Sequence, residues 1–266
     1  MKLSCQEGLV NGNTFAEKLR NLEKYGFDGV ELGGHFLNHS AKLEERVKAL
    51  RDSKIKASSI CGGFSCEFVH PNPARRKACI NIVKRLLDFG GQVGAAGPMS
   101  VPIFNGNERV PDLSPWKTRH QIEIEFFTEI VRDIAAHAVQ AKATLLLEPL
   151  NRYESNSLGN IAEAAALCRK IGPGVKVLAD FFHMHIEETN TPKALLESGD
   201  MVGHVHLADN TRKEPGSGDI DFKAGFSALK KVKFTGYMAL ECGLTDKPEV
   251  ALPRSVAFLK RCIAEA

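Results

Sequence analysis

The chain has 266 residues, of which 43% are hydrophobic and 25% are charged, and 35 Lys and Arg against 32 Asp and Glu leave a formal charge of +3. These are the proportions of a folded globular protein, and they exclude a disordered or fibrous chain. The near balance of charge, with no basic stripe, argues against a protein dedicated to nucleic acid.

Short apolar runs alternate with longer helical patterns along the chain. The predicted strands are Leu3–Glu7, Gly29–Leu32, Ala57–Gly62, Val93–Val101, Thr144–Leu150, Val175–Asp180, Val202–Asp209 and Tyr237–Cys242. The predicted helices are Thr14–Tyr25, Leu43–Arg51, Ala74–Phe89, Arg119–Ala141, Ala162–Ile171, Lys193–Glu197, Phe222–Lys231 and Pro248–Ala264. Several strand runs are apolar almost throughout, which is typical of strands buried on both faces of a parallel sheet.

This alternation predicts an α/β fold, a single (β/α)8 TIM-barrel domain over residues 1–266. A doubly wound open sheet is the alternative, but it usually carries a glycine-rich phosphate turn after its first strand, and Gly8–Asn13 does not fit one. The polar stretch Asn105–Pro115 after the fourth strand is predicted to be a loop that could cover the site.

The sequence also indicates where the protein works. It has no apolar run of the 18 or more residues that a membrane span needs, and Glu7 interrupts any apolar core of a signal peptide. Seven scattered cysteines without a C-x-x-C pair predict free thiols in a reducing compartment rather than a zinc site. We therefore expect a cytoplasmic protein that binds neither nucleic acid nor membrane.

Polar side chains end the last four predicted strands. Glu148 ends the fifth, Asp180 ends the sixth, His206 lies near the end of the seventh, and Glu241 ends the eighth. The carboxyl ends of barrel strands form one mouth, so these four side chains are expected to converge there. A single glutamate at a strand end is a cap or an ion-pair partner as often as it is a functional residue. Four acidic or imidazole side chains on consecutive strand ends, however, indicate a shared function.

Converging carboxylates predict a cation. Buried carboxylates this close together cannot all remain ionised without one, because desolvation and mutual repulsion both oppose the charges. Three oxygen ligands with one nitrogen favour Mn²⁺, Mg²⁺ or Co²⁺ over a zinc site built from thiolates.

Four segments of the second half of the chain resemble the xylose-isomerase-like barrels, and most closely the branch of D-tagatose and D-psicose (ketose) 3-epimerases. They are Glu148–Glu154 (EPLNRYE), Asp180–Glu188 (DFFHMHIEE), His204–Arg212 (HVHLADNTR) with Pro215–Gly218 (PGSG), and Leu240–Cys242 (LEC). The intervals between the four candidate ligands are also close to those of this branch. At the level of strand order, the resemblance covers nearly the whole chain.

The resemblance implies roles for seven residues. Glu148, Asp180, His206 and Glu241 match the metal ligands of the family, and Glu148 and Glu241 also match its two proton-transfer carboxylates. Glu154, His183 and Arg212 match the residues that bind the first hydroxyls and the carbonyl of the substrate. The implied partner is a small sugar. A homo-oligomer, dimer or tetramer, is compatible with the sequence.

The expectations for three further residues at the strand ends are less definite. His204 is two residues before His206 on the same strand, so it should face the same way one layer deeper. Glu31 ends the second strand and is expected to reach the mouth, either to bind substrate or to support a ligand. Asp209 is either such a support or a turn residue.

The implied function is a carbohydrate epimerase of the isomerase class that acts through a cis-enediolate. An aldose–ketose isomerase of the hydroxypyruvate type uses the same intermediate, although the pair Glu154 and Arg212 favours the epimerase. A lyase that dehydrates a keto-inositol remains an alternative on the same scaffold. An endonuclease IV-like repair enzyme would need three zinc ions and a basic surface, and a binding protein would not need both Glu148 and Glu241.

The part of the site that selects the sugar differs from the epimerase branch. That branch tends to place aromatic residues after the first strand, where this chain has Cys5–Leu9, and in the fourth loop, where it has only Phe104 and Trp116. The particular sugar therefore stays open.

Overall fold

The structure of the chain is a computed structural model that describes residues 1–38, 40–63, 67–101, 103, 110–155 and 157–266, with only the backbone described at residues 38 and 40. Phe104 and much of the predicted fourth loop, residues 105–109, lie outside the described residues.

Eight strands and nine α-helices alternate through the described parts of the chain. The strands are β1 (Lys2–Gln6), β2 (Gly29–Leu32), β3 (Lys56–Ile60), β4 (Met99–Ser100), β5 (Leu145–Leu147), β6 (Val175–Asp180), β7 (Val202–Leu207) and β8 (Tyr237–Leu240). The helices are α1 (Phe15–Tyr25), α2 (Ser40–Arg51), α3 (Pro73–Val93), α4 (Arg119–Ala141), α5 (Ile161–Ile171), α6 (Phe181–Glu187), α7 (Thr191–Ser198), α8 (Phe222–Lys231) and α9 (Pro248–Glu265). Short 3₁₀ helices occupy Gly34–Asn38 and Gly199–Met201.

The strands form one parallel sheet that closes into a barrel, as predicted. Their order is β3-β2-β1-β8-β7-β6-β5-β4, and the two outer strands meet through a parallel bridge between Ile60 and Pro98. A backbone hydrogen bond of 3.0 Å from Ile60 N to Gly97 O reinforces this closure. All eight strands therefore present their carboxyl ends to one mouth.

Helix ends follow the local signals that the sequence contains. The Thr14 side chain accepts a hydrogen bond from Glu17 N at the start of α1, and Gly26 ends this helix in the left-handed conformation with φ 91°. Thr118 and Gln121 form a reciprocal capping box at the start of α4. These caps explain why the predicted bounds of both helices agree with the structure to within one residue.

Three sequence predictions are wrong in part. Residue Val93 ends α3 instead of starting β4, because the helix continues until Gly94 adopts φ 73°. Helix α6 was not predicted, because it begins directly after β6 with no intervening turn and Asp180 serves as its N-cap. Cys5, Cys61, Cys168, Cys242 and Cys262 are free thiols, but Cys79 is disulfide-bonded, so the expectation of free thiols fails at that position.

The core has an apolar shell and a polar layer below the mouth. Buried aliphatic and aromatic side chains of the strands and helices form one continuous hydrophobic cluster. Several buried polar side chains, by contrast, are linked by hydrogen bonds: Ser4, Glu31, Ser58, Ser59 and His204. None of the helices that the structure describes is both long and apolar enough to cross a membrane.

Candidate functional site

The four predicted ligand residues come together at the carboxyl end of the barrel. Glu148 directly follows β5, Asp180 ends β6, His206 lies in β7 and Glu241 directly follows β8. Each offers one ligand atom, and these four atoms all lie within 4.8 Å of one another. Asp180 and His206 are register partners, and Glu241 N donates to Leu207 O at 3.2 Å, so the sheet itself aligns the residues.

The ligand atoms converge on the ring nitrogen His206 Nδ1. It is 3.1 Å from Glu241 Oε2, 3.3 Å from Glu148 Oε1 and 3.9 Å from Asp180 Oδ2. Glu148 Oε1, Asp180 Oδ2 and His206 Nδ1 are buried, and none has a hydrogen bond of normal geometry to any described residue. Buried polar atoms are rarely left in this state. The donor set therefore fits a divalent cation with a preference for oxygen ligands.

The two glutamates of this cluster have opposite electrostatic surroundings. Burial raises the pKa of Glu148 to about 8, and the nearby His206 only partly offsets that effect. Burial also acts to raise the pKa of Glu241, but the positive charges of His206 and Arg212 outweigh it and lower that pKa to about 2. Without a cation, Glu148 therefore holds a proton at neutral pH while Glu241 is ionised.

Glu31 and His204 support the cluster from below. Glu31 is 1% exposed, and its Oε2 accepts hydrogen bonds from His206 Nε2 at 3.0 Å and from His204 Nε2 at 3.1 Å. His204 thus lies one layer deeper, as its position two residues before His206 predicts. The sequence left two roles open for Glu31, binding substrate or supporting a ligand. Its contact with His206 corresponds to the supporting role.

Glu241 is held through both of its carboxylate oxygens. Oε1 accepts a hydrogen bond from Gln6 Nε2 at 3.0 Å and another from Cys61 Sγ at 3.2 Å. Burial, together with the neighbouring carboxylates Glu31 and Glu241, raises the pKa of the Cys61 thiol well above its usual value, so this thiol stays protonated and donates. Oε2 accepts from Arg212 Nη2 at 2.6 Å.

Arg212 is presented by a tight loop that Asp209 organises. Asp209 is 1% exposed, and its carboxylate accepts hydrogen bonds from the backbone N–H groups of Gly216, Gly218 and Ile220. Arg212 N donates to Asp209 O at 2.8 Å, and Arg212 adopts φ 57°, a conformation that non-glycine residues rarely take. The sequence left Asp209 open as either a support for a ligand or a turn residue, and its contacts are those of a turn residue.

His183 and Glu154 lie beside Arg212. Asn151 donates to His183 Nδ1 from its backbone N at 3.2 Å and from its side-chain Nδ2 at 2.8 Å. His183 Nε2 lies 3.0 Å from Arg212 Nη1, which can only donate. Glu154 accepts from Asn151 Nδ2 at 3.0 Å, and its side chain is 47% exposed. Phe182 lies under the guanidinium of Arg212, with 4.5 Å between Arg212 Cζ and the ring centroid.

The sequence analysis missed three uncharged residues of this site: Gln6, Cys61 and Asn151. Gln6 ends β1 and Cys61 follows β3, so the rule that polar side chains at the carboxyl ends of strands reach the mouth also applies to them. We applied this rule only to charged residues and histidines. Asn151 lies within the Glu148–Glu154 segment, but its contact with His183 depends on packing between the segment after β5 and helix α6.

Comparisons with known proteins identify the family of the chain. The family model described as "Xylose isomerase-like TIM barrel" matches residues 19–262. The chain is 30% identical to 3-dehydro-D-guloside 4-epimerase of Escherichia coli (strain K12), over 98% of this chain and 100% of that protein. It is 26% identical to D-psicose 3-epimerase of Agrobacterium fabrum, over 85% of this chain and 78% of that protein.

A solved structure shows the same architecture. The crystal structure of the apo form of 3-keto-D-glucoside 4-epimerase from E. coli superposes with a TM-score of 0.88 at 28% identity, covering 98% of this chain and 100% of that one. These relatives bear the names of sugar epimerases, which is the enzyme class that the sequence motifs imply. The chain belongs to the family of xylose isomerase-like TIM barrels.

Proposed function

We propose that this protein is a divalent-metal-dependent epimerase that inverts the carbon next to the carbonyl of a keto sugar. One observation supports it above all: Glu148 and Glu241 approach His206 Nδ1 at 3.3 and 3.1 Å from strands that flank β6 and β7. A protein that only binds sugar has no need of two carboxylates placed in this way.

The two carboxylates suit the reaction. Epimerisation removes a proton from one face of a carbon and returns a proton to the other face, and two fixed carboxylates can do this without moving. We assign this transfer to Glu148 and Glu241. Their unequal pKa values, about 8 and about 2 in the protein without a cation, suit one protonated and one ionised partner at neutral pH.

The cation would be held by Glu148, Asp180, His206 and Glu241, with Mn²⁺ as the ion we expect and Mg²⁺ or Co²⁺ as alternatives. When bound, it supplies positive charge that polarises the carbonyl and stabilises an enediolate. Arg212 contributes N–H donors beside the cluster and His183 lies next to it, and we assign both, with Glu154, to binding the oxygens of the substrate.

Two classes of keto sugar deserve testing as substrate. The motifs of the second half of the chain favour a free ketose, with inversion at C3. The 30% identity over essentially the whole length of both chains favours a second candidate, a 3-keto-glycoside with inversion at C4 as in the E. coli relative. Both reactions exchange a proton on a carbon next to a carbonyl, so the same residues serve either.

The test is proton exchange in D₂O in the presence of Mn²⁺. We expect deuterium at C3 of D-fructose, D-psicose, D-tagatose or L-ribulose, or at C4 of a methyl 3-keto-glucoside, together with the epimeric product. Both signals should be absent in Glu241→Gln. Exchange confined to C1 and C2 would identify an isomerase, loss of water would identify a lyase, and no exchange with any keto sugar would refute the proposal.

A further inference from the structure

Glu31 is a buried carboxylate that the proposed proton transfer does not use. It lies on β2, which is separated from β7 by β1 and β8 in the sheet, so its side chain reaches across the interior of the barrel to His206. Its Oε2 accepts three hydrogen bonds, from Ser59 Oγ at 2.5 Å, His204 Nε2 at 3.1 Å and His206 Nε2 at 3.0 Å.

The backbone directs Glu31 to this position. The pairing of β2 with β3 shifts register between Val30 and Glu31, and irregularities of this kind re-aim side chains near functional sites. Ser59, the register partner of Glu31 on β3, also donates to its Oε2 and lies 2.9 Å from His204 Nε2, so it helps to fix the carboxylate in place.

His206 must be neutral to bind a cation, and the one ring proton that it then keeps could lie on either nitrogen. Three carboxylates, from Glu148, Asp180 and Glu241, lie within 3.1–3.9 Å of Nδ1. The ionised Glu241, which is the nearest of them at 3.1 Å, would attract a proton there. A proton on Nδ1 removes the lone pair that a cation needs, since a neutral imidazole binds metal only through its unprotonated nitrogen. Glu31 is the carboxylate that faces the other nitrogen.

We propose that Glu31 is a positioning residue that keeps the ring proton of His206 on Nε2 and so reserves Nδ1 for the cation. The inference rests on the metal site of the proposed function. Carboxylate–histidine pairs behind a metal ligand fix the tautomer and the ring orientation in this way, and their loss typically weakens metal binding by about 10–100-fold. Glu31 would thus determine metal affinity without touching the metal or the sugar.

The first test uses the unaltered protein. We expect histidine-selective ¹⁵N NMR of the Zn²⁺-loaded protein to show His206 with a directly bonded proton on Nε2 and none on Nδ1, with Zn²⁺ chosen because it is diamagnetic. The resonance is assigned by its loss in His206→Gln. A His206 ring whose Nε2 carries no proton in the loaded protein would overturn the inference, and this result needs no variant at position 31.

The second test compares Glu31→Gln with Ser59→Ala as a matched control. Ser59→Ala removes a hydrogen bond from the same carboxylate oxygen, together with the contact between Ser59 Oγ and His204 Nε2, but it leaves the contacts of Glu31 with both histidines. We expect calorimetry with Mn²⁺ to give a dissociation constant about 10–100-fold weaker for Glu31→Gln and changed by less than about threefold for Ser59→Ala. The melting temperature without metal separates this effect from a general loss of stability.

The outcomes separate the two proposals. If the unaltered protein binds no divalent cation at the four-residue cluster, the metal site of the proposed function fails. If it binds Mn²⁺ and Glu31→Gln binds equally well, only the role of Glu31 fails. If both variants melt at equally lowered temperatures without metal and bind Mn²⁺ as well as the unaltered protein, Glu31 serves only the stability of the barrel.

Discussion

Glu148 should make cation binding depend steeply on pH. Its pKa is raised by burial from an ordinary 4.5 to about 8 in the protein without a cation, and the carboxylate must be ionised to act as a ligand. At pH 7, one unit below that value, about one molecule in ten carries the ionised form, and at pH 6 about one in a hundred. The apparent affinity for Mn²⁺ should therefore fall about tenfold for each pH unit below 8 from this group alone.

His206 adds to the pH dependence of cation binding. Burial would lower its pKa, but the carboxylates of Glu31 and Glu241 outweigh burial and raise it well above its usual value. The cation must therefore also displace a proton from Nδ1, so the pH dependence should exceed that of one group. The stability of the metal-free protein changes with pH in the opposite direction to its affinity for Mn²⁺. The contribution of Glu148 to that stability is full below about pH 4.5 and is lost as the pH rises through about 8.

The assay is titration calorimetry with Mn²⁺ at pH 6, 7 and 8, in pairs of buffers with different heats of ionisation, which counts the protons released. Glu148→Gln should release one proton fewer. Glu188→Gln is the matched control, because burial also raises the pKa of Glu188 while its side chain accepts from Ile161 N at a helix start. Affinity that stays constant between pH 6 and 8, or binding without proton release, would refute the reasoning.

Three further variants test the site. Glu241→Gln should lower kcat by about 10²–10⁴-fold, because it removes one of the two proton carriers; deuterium incorporation measures the loss, and near-normal turnover would contradict the two-carboxylate mechanism. Asp180→Asn should bind Mn²⁺ more weakly, and each tenfold loss of affinity removes about 1.4 kcal/mol of stabilisation by saturating metal, which thermal denaturation with and without Mn²⁺ detects. Arg212→Ala should reduce kcat/KM by about 10–100-fold through loss of charged hydrogen bonds to substrate, with partial recovery in Arg212→Lys; an unchanged kcat/KM would remove Arg212 from the site.

The barrel and its mouth could be predicted from the sequence because the strands are apolar runs that end abruptly. Glu148, Asp180 and Glu241 each stand at such an end, and the parallel arrangement brings those ends together. The predicted start of β6 at Val175 was accurate because the turn residues Gly172, Pro173 and Gly174 precede it. The predicted start failed at β4, where a helical pattern continues through Val93.

The surroundings of the ligands could not be predicted in the same way. Glu31 meets His206 from across the barrel, 175 positions away in the chain, and no local pattern encodes that contact. Gln6 and Cys61 stand at strand ends but carry no charge, so a search for charged residues and histidines passed over them, although both contact Glu241. The assigned roles of Glu154, His183 and Arg212 came from family motifs, and the structure supplies the contacts on which those roles can be tested.

The position of the Arg212 guanidinium has a consequence for inhibitor design. Arg212 lies beside His183, with 3.0 Å between Nη1 and His183 Nε2, and its guanidinium carries only N–H donors. A guanidinium repels an ammonium group and selects a ligand that presents an anionic oxygen beside it. Sugar-like hydroxamates meet this requirement, whereas iminosugars, whose ring nitrogen is protonated, should be poor ligands at this position.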